Sequence, residues 1–381
     1  MTILIIDVGT TTVRASAVHD GGEVAITHRR PLPPRSPMPG FVEFDPAELA
    51  TTVLGLAGRV MGECGPISAV GITNQRASTV LWDRATGRPV APGVGWQDLR
   101  TVGMCLALQA RGIRLAPSAS ATKLVFLLDL ADPDRRRNLC FGTIDSWVAW
   151  ALSGGTSHVT DPTNAALTGL LTHDGAGWDP ALLDALRIPE AVLPAIVDTS
   201  GVAGVAHALD GAPPIAALAG DQQASLVGQG CVRPGLAKVT FGTGGMLDVC
   251  LGPEPPAFLA TGRVRGPGGT FPTVAWRRAG RLTWAVEAVM LTAGAAVQWL
   301  VDDLGLIGSP AESAEVAATA GDPDVWFVPA LLGLGTPAWD FGARGTLLGL
   351  TGGSTGADVV RAVLAGVAHR GADQAEAAEV D

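Results

Sequence analysis

Residues 2–18, TILIIDVGTTTVRASAV, decide how the rest of the chain is read. Four apolar residues, Ile3, Leu4, Ile5 and Ile6, lead to Asp7. A glycine and three threonines turn the chain, and an alternating run over residues 13–18 returns it. This is a β-hairpin with chemistry at its tip. Gly9 lets backbone approach an anion, Thr10, Thr11 and Thr12 offer hydroxyl and amide donors, Asp7 can hold a divalent cation, and Arg14 can reach charge across the turn. Read alone, the segment also admits the less favoured reading of an ordinary amino-terminal hairpin with a solvated polar tip.

A second stretch repeats the design. In residues 237–251, AKVTFGTGGMLDVCL, an apolar strand again meets a Gly-Thr-Gly tip, Gly242, Thr243 and Gly244, and a strand returns. Two such hairpins, one near the start of each half, imply a duplicated strand-rich unit and two tips that can bind phosphate.

The intervening chain reads as α/β. A third strand follows the turn at Asp20, Gly21 and Gly22. Asp45, Pro46 and Glu48 start a helix with Leu49, Val53, Leu56 and Val60 on one face. ISAVGIT reads as a buried strand, with Arg76 just past its carboxyl end, where ligands of open α/β sheets sit. TVLWD and the turn at Thr86 and Gly87 suggest another hairpin, Trp96 reads as a core aromatic, and helices are expected over residues 98–111 and from Asp145. Residues 154–177 read as loop, with Thr160 to Asn164 as turn formers. PIAALAG then ends in a strand-to-helix turn that exposes Asp221, either a helix cap or a general base. In the second half, strands around residues 274–284, a helix over 290–304, a strand at VWFVPAL and a last helix from about Thr355 are expected.

Composition narrows the function. The 381 residues suffice for two domains. A formal charge of −10 without a basic run disfavours nucleic acid as a partner, and no apolar run is long enough for a membrane span. Cysteines 64, 105, 140, 231 and 250 form no CxxC pair, which suits a reducing compartment, and the opening residues carry no leader pattern. A cytoplasmic protein is expected. The histidines lack zinc-ligand spacing, and no GxxxxGK[ST] Walker loop occurs. A cation-capable Asp7, two phosphate-binding tips and an exposed Asp221 together suit phosphoryl transfer, which needs positioning, charge neutralisation and a proton acceptor.

Together the motifs IIDVGTTTVR, GFVEFDP, GITNQRAST, GWQDLRT, FGTIDSWVAW, HVTDPTNA, GDQQASLVGQ, TFGTGG, TAGAAVQWL and GLGTPAWDFGARGTLLGLT resemble, in order, the FGGY family of carbohydrate kinases, and within it the glycerol-kinase branch. The resemblance implies a two-domain actin-like, ribonuclease-H-like ATPase fold, with residues 1–229 forming the first domain and 230–381 the second. It also implies ATP, Mg2+ and a small-molecule polyol or sugar, and is compatible with a homo-oligomer. By position, Asp221 matches the general base and Asp7 the metal-serving residue. Thr10, Thr11, Thr12, Arg14, Thr243, Gly294 and Gln298 match nucleotide contacts. Arg76, Trp96, Asp221 and Gln222 match substrate contacts, which moves Trp96 from core to substrate wall.

Three departures stand out. Ala77 replaces an acidic residue after the NQR arginine, a tyrosine before Ala121, Thr122 and Lys123 is missing with every other tyrosine, and Met246 stands in place of phenylalanine. The family pattern also continues beyond the helix that ends at Asp381, so the second domain is expected to be incomplete. The alternative reading is a catalytically impaired relic or a sugar-binding regulatory protein.

Overall fold

The computed structural model describes residues 1–261, 263–322 and 324–380. The chain divides into two units, Met1–Ser225 with Val274–Thr283, and Leu226–Thr273 with Trp284–Asp381.

The first unit opens with β1 Thr2–Val8, β2 Thr12–His19, β3 Val24–Pro31, β4 Glu43–Phe44, α1 Pro46–Cys64, β5 Ala69–Asn74, β6 Val80–Asp83 and β7 Gly93–Val94. It continues through α2 Val102–Ala110, α3 Ser120–Ala131, β8 Leu139–Gly142, α4 Ile144–Leu152, β9 Val159–Thr160, α5 Pro162–Leu167 and α6 Pro180–Leu186. The last elements are β10 Ala195–Ile196, β11 Ser200–Val205, β12 Pro214–Gly220 and the start of α7 Asp221–Gly228. Its main sheet runs β11-β12-β5-β1-β2-β3. The pairs β1/β2 and β2/β3 are antiparallel, whereas β1/β5 and β5/β12 are parallel.

Alternation explains the sheet. Leu4, Ile6 and Val8 on β1 and Val13, Ala15 and Ala17 on β2 are buried on one face, against Leu49, Val53 and Val60 of α1 and Ile144 and Val148 of α4. α1 starts where expected, because the Asp45 carboxylate accepts from the N–H groups of Ala47 and Glu48. It stops at Gly65, whose φ of 77° is in the left-handed region. A second core gathers Leu124 and Leu128 of α3 with Phe141 of β8 and Leu183 of α6.

The second unit holds β13 Ala237–Phe241, β14 Gly245–Gly252, the start of β15 Phe271–Arg278, most of β16 Arg281–Met290, α8 Gly294–Asp302, α9 Ser313–Ala317, β17 Trp326–Val328, β18 Thr346–Leu348 and α10 Gly356–Val380. β14 pairs antiparallel with both β13 and β16. Its core joins Ala296 and Leu300 of α8, Phe327 of β17, and Val360 and Val363 of α10. Across the β13/β14 pair, Lys238 and Asp248 form a buried ion pair at 2.7 Å.

Four local expectations change. Residues 162–167 are helix α5 rather than loop, started by Asp161 and Pro162; six residues are too few to display a 3.6-residue period. The helix expected from Asp98 begins at Val102, because the Asp98 carboxylate instead accepts from the Val42 and Arg100 amides. The chain does return antiparallel after Asp83, through the bridges Trp82 to Pro89 and Thr79 to Val94, but the continuous ladder of β6 is made with β8, from beyond α3. The helix expected from residue 290 begins at Gly294, since Met290 ends β16.

Candidate active site

Three parallel strands of the first unit end at one level. Val8 of β1 is the register partner of Asn74 of β5, and Asn74 is the partner of Gly220 of β12. The residues that follow therefore leave the sheet side by side: Gly9 and Thr10 from β1, Gln75 and Arg76 from β5, Asp221 and Gln222 from β12. The carboxyl ends of strands collect loop side chains in this way because no further ladder competes for the space.

The hairpin tip is tied to its neighbours. The Gln75 N–H donates to the Val8 carbonyl at 2.7 Å, and the Gln75 side-chain amide donates to the Gly9 carbonyl at 3.3 Å. Asp7 and Arg14 face one another across the β1/β2 ladder and form an ion pair at 2.6 Å. Trp96, half-buried, is held at both ends: its N–H donates to Ser78 Oγ at 3.1 Å and its indole Nε1 donates to Thr10 Oγ1 at 3.2 Å. It is thus a wall beside the tip rather than a core aromatic.

Arg76 Nε lies 3.5 Å from Asp221 Oδ1, with the arginine buried and the carboxylate more than a third exposed. Gly220 makes room for this pair, because a Cβ there would sit 2.7 Å from both Arg76 Cδ and Gln223 Oε1. Asp221 opens α7, and its Oδ1 accepts from the Gln222 N–H at 2.8 Å. Ala77 follows Arg76 with φ 63° and is nearly fully buried.

Lys123 is a buried cation beside Trp96 that carries no motif signal. It is fully buried, and its Nζ donates to the carbonyls of Ser118 at 2.8 Å, Pro117 at 2.9 Å, and Trp96 and Ala119 at 3.3 Å. Burial pulls its pKa down to about 8, against the opposing pull of Asp98 and Cys105. Composition held a signal: the chain has two lysines, Lys123 and Lys238, and both are buried. Long cations are rarely buried without dedicated acceptors.

In the second unit, the tip of the β13/β14 hairpin meets the start of α8. The N–H groups of Ala293 and Ala295 donate to the Thr243 carbonyl at 2.9 and 3.1 Å, and the Gly294 N–H donates to the Gly242 carbonyl at 2.8 Å. A Cβ on Gly294 would lie 2.6 Å from that carbonyl oxygen. The structure thus brings Thr243 and Gly294 together, with Gln298 about one turn along α8 and bonded to Asp302 at 2.9 Å. Thr243, Gly294 and Gln298 are exposed.

Among the described residues, no group of three or more His, Cys, Asp or Glu side chains could hold a metal ion. A cation at this hairpin would therefore draw most of its oxygen ligands from phosphate and water. Asp7, a hard carboxylate two residues before Gly9, fits that supporting part. No helix among the described residues is long and apolar enough to cross a membrane.

This architecture has the two-domain actin-like ATPase design. The glycerol kinase from Plasmodium falciparum solved with ADP superposes with a TM-score of 0.89 at 26% identity, over 99% of this chain and 78% of that one. Family models for the N-terminal and C-terminal domains of FGGY carbohydrate kinases match residues 2–228 and 237–380. The chain therefore belongs to the FGGY family of carbohydrate kinases. Similar curated relatives include the glycerol kinases of Alkalilimnicola ehrlichii, 42% identical, and Trichlorobacter lovleyi, 43% identical, each matched over 100% of this chain and 79% of its own length.

Proposed function

We propose that this protein transfers the γ-phosphoryl group of ATP to a hydroxyl of a polyol or sugar, with Asp221 as general base. The observation that carries the reading is the Arg76–Asp221 pair at 3.5 Å, at strand ends level with the Gly-Thr tip of β1/β2. Asp221 takes the hydroxyl proton as the oxygen bonds to phosphorus and the bond to the ADP oxygen breaks, leaving a phosphate ester and ADP. Arg76 and Gln222 hold substrate oxygens, and Trp96 supplies an apolar wall for its carbon face. Thr10, Thr11, Thr12 and Arg14 grip the phosphates, while Thr243, Gly294 and Gln298 contact the nucleotide. Mg2+ arriving with ATP would neutralise phosphate charge, with Asp7 as its protein contact.

In this reading residues 1–229 carry the substrate side and 230–381 the nucleotide side, and the cytoplasm is the compartment, in keeping with five free cysteines. The alternative of a catalytically impaired or purely sugar-binding protein is not favoured, because the proposed base and its arginine are both retained and paired. Ala77 and the missing tyrosine bear on substrate choice. Each removes a hydrogen-bond partner for a hydroxyl, at a cost of about 1–3 kcal/mol per group left unpaired.

The test is ADP release from MgATP with a panel of polyols and sugars. At least one should be turned over, and Asp221→Asn should lower kcat by about 10²–10⁴-fold. Folded protein that phosphorylates none of them overturns the proposal.

A further inference from the structure

The stretch HVTDPTNA, residues 158–165, supplies none of the contacts assigned above, yet it surrounds a fully buried carboxylate, Asp161. Asp161 Oδ1 accepts from Thr163 Oγ1 at 2.8 Å, Asn164 Nδ2 at 3.0 Å and the Asn164 N–H at 3.1 Å. Its Oδ2 accepts from Thr199 Oγ1 at 2.7 Å and the Thr163 N–H at 3.2 Å. Five donors converge on one side chain, and two of the residues that supply them reach onward.

The first arm is Thr163. With its proton given to Asp161, its Oγ1 accepts from the Gly220 N–H at 2.8 Å. The second arm is Asn164. Its Oδ1 accepts from Asn74 Nδ2 at 2.9 Å, and its own Nδ2 donates to Asn74 Oδ1 at 3.3 Å. Gly220 and Asn74 are register partners and the last residues of β12 and β5. Asp221 follows the first directly, and Arg76 stands two residues past the second.

From this geometry we infer that Asp161, acting through Thr163 and Asn164, is the positioning residue that sets Asp221 against Arg76. The inference rests on the reading of Asp221 as base. At a strand end the ladder no longer dictates where the chain goes, so another fixed group must set the exit direction. Here one buried carboxylate orients two side chains, and each clamps one of the two strand ends that carry the reacting pair. A misplacement of about 1 Å at such a pair costs on the order of 10²-fold in rate.

The test uses Thr163→Val, which keeps the shape but removes the hydroxyl, and Thr163→Ser, which keeps the hydroxyl. Thr163→Val should lower kcat by about 10–100-fold with the KM for MgATP within about 3-fold, and Thr163→Ser should recover most of the loss. In an Asp221→Asn background, Thr163→Val should add no further loss, because its effect passes through the base. A lowered melting temperature with unchanged kcat, or a full extra loss in the Asp221→Asn background, overturns the inference. Should Thr163→Val not fold, Asn164→Ser breaks the other arm under the same criteria. Activity retained by Asp221→Asn alone would instead show that the base was misassigned, which separates the two failures.

Discussion

Asp145 shows how burial sets the chemistry of a single side chain. It is fully buried, with Thr143 and Thr160 hydroxyls donating to its two oxygens, and Asp161 lies near. Burial first, and the Asp161 charge second, raise its pKa to about 7. Asp161 is raised by burial as well, with the donors Thr199, Thr163 and Asn164 pulling the other way. A carboxyl with a raised folded pKa contributes stability that is complete below its unfolded value, near 4, and is lost as pH rises to about 7. His158 has the opposite sign. Burial lowers it to about 4 and keeps it neutral in the fold, so its contribution is lost as pH falls from about 6.5 to 4. Asp145→Asn should therefore gain stability relative to the parent between pH 4 and 7, with a slope approaching about 1.4 kcal/mol per pH unit. Denaturant titrations across that range check this. Subtracting the two proteins cancels His158, and parallel curves would refute the assignment.

At the scale of elements, the β13/β14 tip and the start of α8 depend on a position without a side chain. Gly294→Ala would press a methyl to 2.6 Å from the Gly242 carbonyl, so either the helix or the tip must move. Overpacking of this kind costs about 1–3 kcal/mol. If the strain falls on nucleotide contacts, the KM for MgATP should rise about 10-fold while the KM for the polyol stays unchanged, since Arg76, Trp96 and Asp221 belong to the other unit. Steady-state kinetics with each substrate varied in turn distinguishes this from a general loss of fold, which would lower active enzyme without moving either KM. The same element illustrates what pattern reading could reach. TFGTGG and its flanking alternation were enough to find the hairpin. The helix start was placed four residues early because the apolar residues ending β16 run without a break toward α8.

For the whole molecule, the division into two units means that unfolding need not be a single transition. Nucleotide binding should nonetheless be visible thermally. MgADP at about 100 times its Kd should stabilise the form that binds it by about 2.7 kcal/mol. Calorimetry with MgADP, with polyol and with both tests this. A chain with no MgADP-dependent shift at millimolar nucleotide would not be the ATP-dependent kinase proposed.

Much of this protein was determined by sequence alone: the α/β class, the two Gly-Thr hairpins, the capped helix after Asp45, and the ordered motifs that mark an FGGY kinase. These are local signals, in which a period of two, a turn glycine or a capping carboxylate acts on neighbours within a few residues. Tertiary structure alone decided the rest. The two ends of Trp96 are fixed by Thr10 and Ser78, both distant in sequence. Lys123 can be buried because four carbonyls converge on its Nζ. Residues 160–164 changed from turn formers to the buried support of Asn74 and Gly220, a link visible only once β5 and β12 lie side by side. The physical reason is the same in each case: a hydrogen bond or an ion pair acts over about 3 Å in space, whatever the number of residues between its partners.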